Sequence, residues 1–153
     1  VEIREVALGS EAGTTTFQHV VTNSAYSGLR RRDYPREEEV RELTVQLARL
    51  DDLVPAARRV TIIKIDVEGG ELGVLRGATG ILRRDRPFVV FEHGLGAAEF
   101  YGTTPDTVWD LFAGCGLNVS LMVDWLAGRP VLDRAAFVEE FDLRRNFYFL
   151  AHA

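Results

Sequence analysis

The chain has 153 residues, 46% of them hydrophobic and 27% charged, enough apolar material for one buried core and too much for a disordered segment. Its net charge of -5 argues against a general attraction to nucleic acid or to an anionic membrane surface, so neither is expected as a partner. A single cysteine, Cys115, leaves no internal disulfide and no cysteine-based zinc cluster, which suits a cytoplasmic location, and no apolar run is long enough to span a bilayer.

Residues 1–54 read as strand and loop material. Residues 3–8 form a strand, residues 10–13 a turn, residues 14–21 a β-branched strand containing Phe17, and residues 40–50 another extended segment; threonine-rich alternation favours strand over helix. Between them, residues 23–39 are rich in Ser, Gly, Arg and Glu and form a loop, either a functional lid or a segment without order. Arg30-Arg31-Arg32 and Glu37-Glu38-Glu39 within it are opposite charge blocks that largely cancel, so both are read as solvated surface.

Residues 55–93 read as a βαβ unit. The run Val60 to Ile65 is β-branched and apolar apart from Lys64, and Pro87 to Phe91 repeats the pattern. The helix between them carries Leu72, Leu75, Ala78 and Leu82 on one face, with Glu71 in its first turn and Arg83 and Arg84 in its last, as the helix dipole prefers. Gly73, Gly77 and Gly80 lower its intrinsic stability, for which a close approach to the sheet is a reason. A right-handed crossover makes the two strands parallel and brings their carboxyl ends to one rim. Asp66, Glu68, Glu92 and His93 are thereby gathered where open α/β sheets bind ligands.

Residues 94–153 begin with a loop holding Phe100 and Tyr101. A helix follows, with Thr104 as cap, Pro105 in the first turn, Val108, Leu111, Phe112 and Cys115 on its apolar face, and Gly114 or Gly116 at its end. Trp109 is expected to face solvent or a partner, and Cys115 to be a buried helix-end residue and no nucleophile. Residues 117–123 and 146–152 read as strands, with a short helix or loop over 133–141. Trp125 either lines an acceptor pocket or covers the core. His19 and His152 have no partners at ligand spacing.

Three chemical roles are open to the rim. Asp66 stands at a reacting centre or caps the following helix, and Glu68 can do either job. His93 titrates near neutrality and is the preferred general base, with Glu92 orienting it or holding substrate. Asp66, Glu92 and His93 could also share a divalent metal, magnesium or manganese. No Ser-His-Asp order with a nucleophile elbow occurs.

The block Ile65-Asp66-Val67-Glu68-Gly69, then Glu71-Leu72, Val74-Leu75-Arg76-Gly77-Ala78, then Arg86-Pro87-Phe88-Val89-Val90-Phe91-Glu92-His93 resembles the FkbM-type S-adenosylmethionine-dependent methyltransferases. The similarity extends to Val6-Ala7-Leu8-Gly9 with Gly13, to Leu50-Asp51-Asp52-Leu53, and to residues 146–151. It implies a Rossmann-like class I methyltransferase sheet in an α/β domain, mostly parallel with an antiparallel edge hairpin. It implies S-adenosylmethionine as cofactor, held by Ala7, Leu8, Gly9 and Asp66, with Asp66, Glu68, Glu92 and His93 at the chemistry. The expected reaction is O-methylation of a hydroxyl on a sugar or secondary metabolite, a small-molecule acceptor.

The family's glycine-rich cofactor strand and the acid-ended strand after it have no counterpart here, and Gly94-Leu95-Gly96 is no substitute. The chain is therefore read as the C-terminal part of a catalytic domain, with a noncatalytic α/β interaction domain or a metal-dependent hydrolase as alternatives. On that reading the central strand has an open edge, met by a homo-oligomer or by a displaced N-terminal hairpin.

Overall fold

The computed structural model describes residues 1–153. Threonine alternation and β-branched residues on one side build a long hairpin: β2 (Gly13–Val20) pairs antiparallel with β3 (Val40–Ala48), from Gly13 opposite Leu47 to Val20 opposite Val40. β1 (Ala7–Leu8) joins the other edge of β3 in parallel. The ladder covers only the end of the segment expected as a strand; residues 3–6 make no strand pairing, and Ile3 is exposed.

A second sheet has the order β4-β5-β7-β6. β4 (Ile62–Ile65) and β5 (Phe88–Glu92) pair in parallel with Ile65 opposite Phe91. β7 (Tyr148–His152) runs antiparallel to β5, and β6 (Asn118–Ser120) antiparallel to β7. Of the five strand pairings in the molecule two are parallel, so both sheets are mixed and the mostly parallel sheet expected from the resemblance is not seen. The C-terminal antiparallel hairpin is present at the edge.

The single helix expected after β4 is broken in two, α1 (Leu50–Leu53) being the cause. α2 (Glu71–Arg76) ends at Gly77, whose carbonyl accepts the Asp51 amide at 2.9 Å. The Asp51 carboxylate then accepts the amides of Gly80 and Ile81, each at 2.9 Å, starting α3 (Thr79–Asp85) in the place of a local N-cap. Gly77 is required at this joint, since a Cβ there would collide with the Gly9 carbonyl oxygen. The break thus docks the N-terminal sheet onto the βαβ unit.

α4 (Pro105–Gly114) starts at Thr104, whose hydroxyl and that of Thr107 complete a reciprocal capping box. The segment expected as a strand over residues 117–123 gives only β6 before turning into α5 (Met122–Leu126), and α6 (Arg134–Asp142) is capped by Asp133. Phe91, Phe112, Phe137 and Phe149 are fully buried between one sheet face and α2, α4 and α6, together with Leu75, Val89 and Val108. Each such side chain stabilises the fold by roughly 1.5–3 kcal/mol. Trp109 packs 6.0 Å from Phe137, against this core and not out toward solvent or a partner as its position suggested. Cys115 is buried as expected. On the other sheet face Trp125 lies edge-on to Phe88 at 5.3 Å, while Ile62 stays 64% exposed. No helix is long and apolar enough to cross a membrane.

Candidate active site

The site grows from the turn after β4. Glu68 has φ 58° and Gly69 φ 102°, and a Cβ on Gly69 would strike the Ala97 carbonyl, so only glycine fits there. The turn is held from inside: the Glu71 carboxylate, 2% exposed, accepts the amides of Val67 at 3.2 Å and Gly69 at 3.1 Å. Burial pushes Glu71 above the usual carboxylate range, opposed by those two amides. The amides of the turn are thus held by Glu71, and no side chain, Asp66 included, caps α2. Asp66 is left to face the rim, where it accepts the Lys64 ammonium at 2.6 Å.

The parallel register places Glu92 beside this turn. Asp66, Glu68 and Glu92 bring carboxylate oxygens within 4.8 Å of one another. Two of the three have a cation: Lys64 for Asp66, and Arg32 for Glu68 at 2.5 Å. The Lys64 hydrogen bond holds Asp66 below its usual range. Glu92 has no cation within 4 Å; burial, then the charges of Asp66 and Glu68, push it up to about 7. The result is a carboxyl that gains and loses a proton near neutrality beside one that stays ionised.

His93 goes elsewhere. Its ring is 1% exposed and stacks on Phe141 at 4.6 Å and Phe137 at 5.9 Å, on the α6 side, with no hydrogen-bond partner for either nitrogen. Burial lowers it to about 4. The structure thus brings together Asp66, Glu68 and Glu92 and leaves the His93 ring packed among aromatic rings. A divalent ion shared by Asp66, Glu92 and His93 does not fit this arrangement, because the imidazole faces α6 and Lys64 already neutralises Asp66.

Two clefts flank the turn. The smaller, about 250 Å³, is bounded by Arg32, Glu68, Glu92 and the loop from His93 to Ala98. The larger, about 670 Å³, lies between the hairpin and α2, with Leu8, Gly9, Leu29, Gly70, Leu72 and Tyr101 in its wall. Of the residues expected to hold the cofactor, Leu8 and Gly9 line this larger cleft; Ala7 is engaged in the β1 ladder opposite Leu47, and Asp66 lies outside its lining. Its size falls in the roughly 300–1,000 Å³ range of small-molecule sites, and its wall is largely polar, with Glu11, Arg30, Arg31, Glu42 and Arg76 beside the apolar residues.

Sequence reasoning missed three residues here. From the sequence Glu71 is a first-turn acid that suits the helix dipole, Arg32 one of a solvated run, and Tyr101 a loop aromatic with no fixed role. Arg32 has an 8% exposed side chain, and Glu38 of the acidic run is also covered, hydrogen-bonded to Thr22. A positive φ preference after Val67 was the available signal for the turn, through Gly69; nothing local marks Arg32.

Among known proteins, residues 2–119 match a family model described as the methyltransferase FkbM domain. No curated protein and no solved structure matches the chain.

Proposed function

The chain belongs to the FkbM methyltransferase family, and on that premise we propose that it works as an S-adenosylmethionine-dependent O-methyltransferase domain on a hydroxyl of a small acceptor, a sugar or secondary metabolite. The observation that carries the proposal is the carboxylate rim: a neutral-range carboxyl, Glu92, next to an ionised one, Asp66, at the carboxyl ends of two parallel strands. When bound, S-adenosylmethionine supplies the electrophilic methyl group, and Leu8 and Gly9 with Gly70 and Leu72 are the residues that would hold it.

Transfer to a hydroxyl needs the proton removed as the oxygen attacks. Glu92 takes that proton, a role better matched by its position and titration than by the ring of His93. Asp66, kept ionised by Lys64, orients the hydroxyl, and its charge makes Glu92 the stronger base, a repulsion that ends when Glu92 takes the proton. Glu68 shapes the turn and is held by Arg32. A base that must be deprotonated to act gives a rate that rises with pH through about 7.

The test combines calorimetric binding of S-adenosylhomocysteine with an acceptor screen on wild type and Glu92→Gln. The expected outcome is unchanged binding with turnover reduced roughly 100-fold or more. Full turnover by Glu92→Gln would remove Glu92 from the mechanism. Absence of cofactor binding both by this chain and by one extended upstream through a glycine-rich strand would favour a noncatalytic α/β interaction domain.

A further inference from the structure

We propose that Arg32 is a positioning residue for the carboxylate rim: it closes the strap of residues 28–32 over the end of β4 and holds Glu68, leaving Glu92 as the clustered carboxylate free to carry a proton. The proposal rests on the reading of Glu92 given above.

Arg32 differs from its neighbours. Arg30 and Arg31 are exposed and sit on the larger cleft, whereas the Arg32 side chain turns inward and is 8% exposed. It meets Glu68, 36 residues away, at 2.5 Å, donates toward the Gly96 carbonyl at 3.5 Å, and lies 5.3 Å from the centre of the Tyr26 ring. A guanidinium removed from water to this degree is retained only where its partners are fixed. A cation-π face and a carboxylate together meet that condition.

The strap itself is tied at both ends. Gly28 exchanges both backbone hydrogen bonds with Gln18 of β2, at 2.8 and 3.2 Å, and the Arg30 amide donates to the Tyr101 hydroxyl at 3.0 Å. Gly28 passes so close to Tyr101 and Glu68 that a side chain there would be crowded. Between these ties the strap separates the two clefts: Arg30 and Arg31 line the larger, Arg32 the smaller. Its position therefore sets the shape of both.

Charge balance follows from the same contact. Glu92 faces Asp66, Glu68 and Glu71 as anions, with Lys64 and Arg32 as the nearby cations and Tyr148 opposite it on β7. Glu68 already opposes the ionisation of Glu92, and without Arg32 it stands uncompensated and opposes it more strongly.

Hydrogen exchange and carbon-detected carboxyl titration on the whole chain test this without any need for activity. In Arg32→Gln, amides of the strap should exchange roughly tenfold faster and the Glu92 midpoint should move upward. Arg32→Lys should restore the midpoint but only part of the protection, since an ammonium cannot serve Glu68 and stack on Tyr26 as a planar group does. In an active preparation the acid limb of the pH-rate profile should move with the midpoint. A folded Arg32→Gln variant with unchanged strap exchange and an unchanged Glu92 midpoint would overturn the proposal, whatever the reaction proves to be.

Discussion

The two sheets are stabilised in different ways. The C-terminal sheet has a continuous apolar face under α2, α4 and α6, and its 16-residue core lies wholly between Ile65 and Ala151. The N-terminal sheet has a long ladder but little beneath it: β3 is largely exposed, Leu43 is 45% exposed, and Val20 is the one fully buried apolar residue of β2. Backbone hydrogen bonds alone give small net stability, because water competes for the same groups. The hairpin therefore depends on its docking at Gly77 and on the strap. Glu92 stands on the sheet with the large core, and Arg32 on the loop between β2 and β3 of the sheet with little core.

The largest expected effect lies in the core. Phe112→Ala should destabilise global unfolding by about 3–5 kcal/mol in denaturant melts, whereas Leu43→Ala on the hairpin should change it by less than about 0.5 kcal/mol. Equal effects would mean that the two sheets share one core after all.

Next is the joint between them. Gly77→Ala drives a methyl group into the Gly9 carbonyl and should cost roughly 1–3 kcal/mol, with faster amide exchange concentrated in β1 and β3. Exchange that rises uniformly over the molecule would show that hairpin and βαβ unit unfold together.

The smallest effect concerns the buried imidazole and depends on pH. Burial lowers His93 from its usual 6.5 to about 4, so the unfolded chain binds a proton in that window that the folded chain refuses. The stability conferred by keeping it neutral is complete above 6.5 and is lost as pH falls toward 4. His93→Leu should remove this dependence, giving roughly 1–2 kcal/mol at pH 5 over wild type relative to their difference at pH 8. A parallel pair of stability curves between pH 8 and pH 5 would place the His93 ring in contact with water.

Local patterns carried much of the fold. Alternation in residues 14–21, the apolar runs before Asp66 and Glu92, and the Thr104-Pro105 start each specified an element where it is found, because backbone preference and nearest-neighbour burial act within a few residues. The misjudged elements share a different cause. The split at Gly77 depends on Asp51, and the inward Trp109 on Phe137 from α6. Both answers lie on a distant part of the chain.

The same boundary runs through the candidate site. That Asp66, Glu68 and Glu92 meet at one rim is written in the chain, since two parallel strands joined by a crossover must end on the same side. Their protonation is set by contacts in space. Coulomb attraction and desolvation depend on distance in space, and Arg32, Lys64 and Glu71 reach these carboxylates by a loop contact, a strand neighbour and an inward turn. His93 was drawn away in the same manner, because Phe137 and Phe141 of α6 offered its ring a dry surface that no pattern within β5 announces.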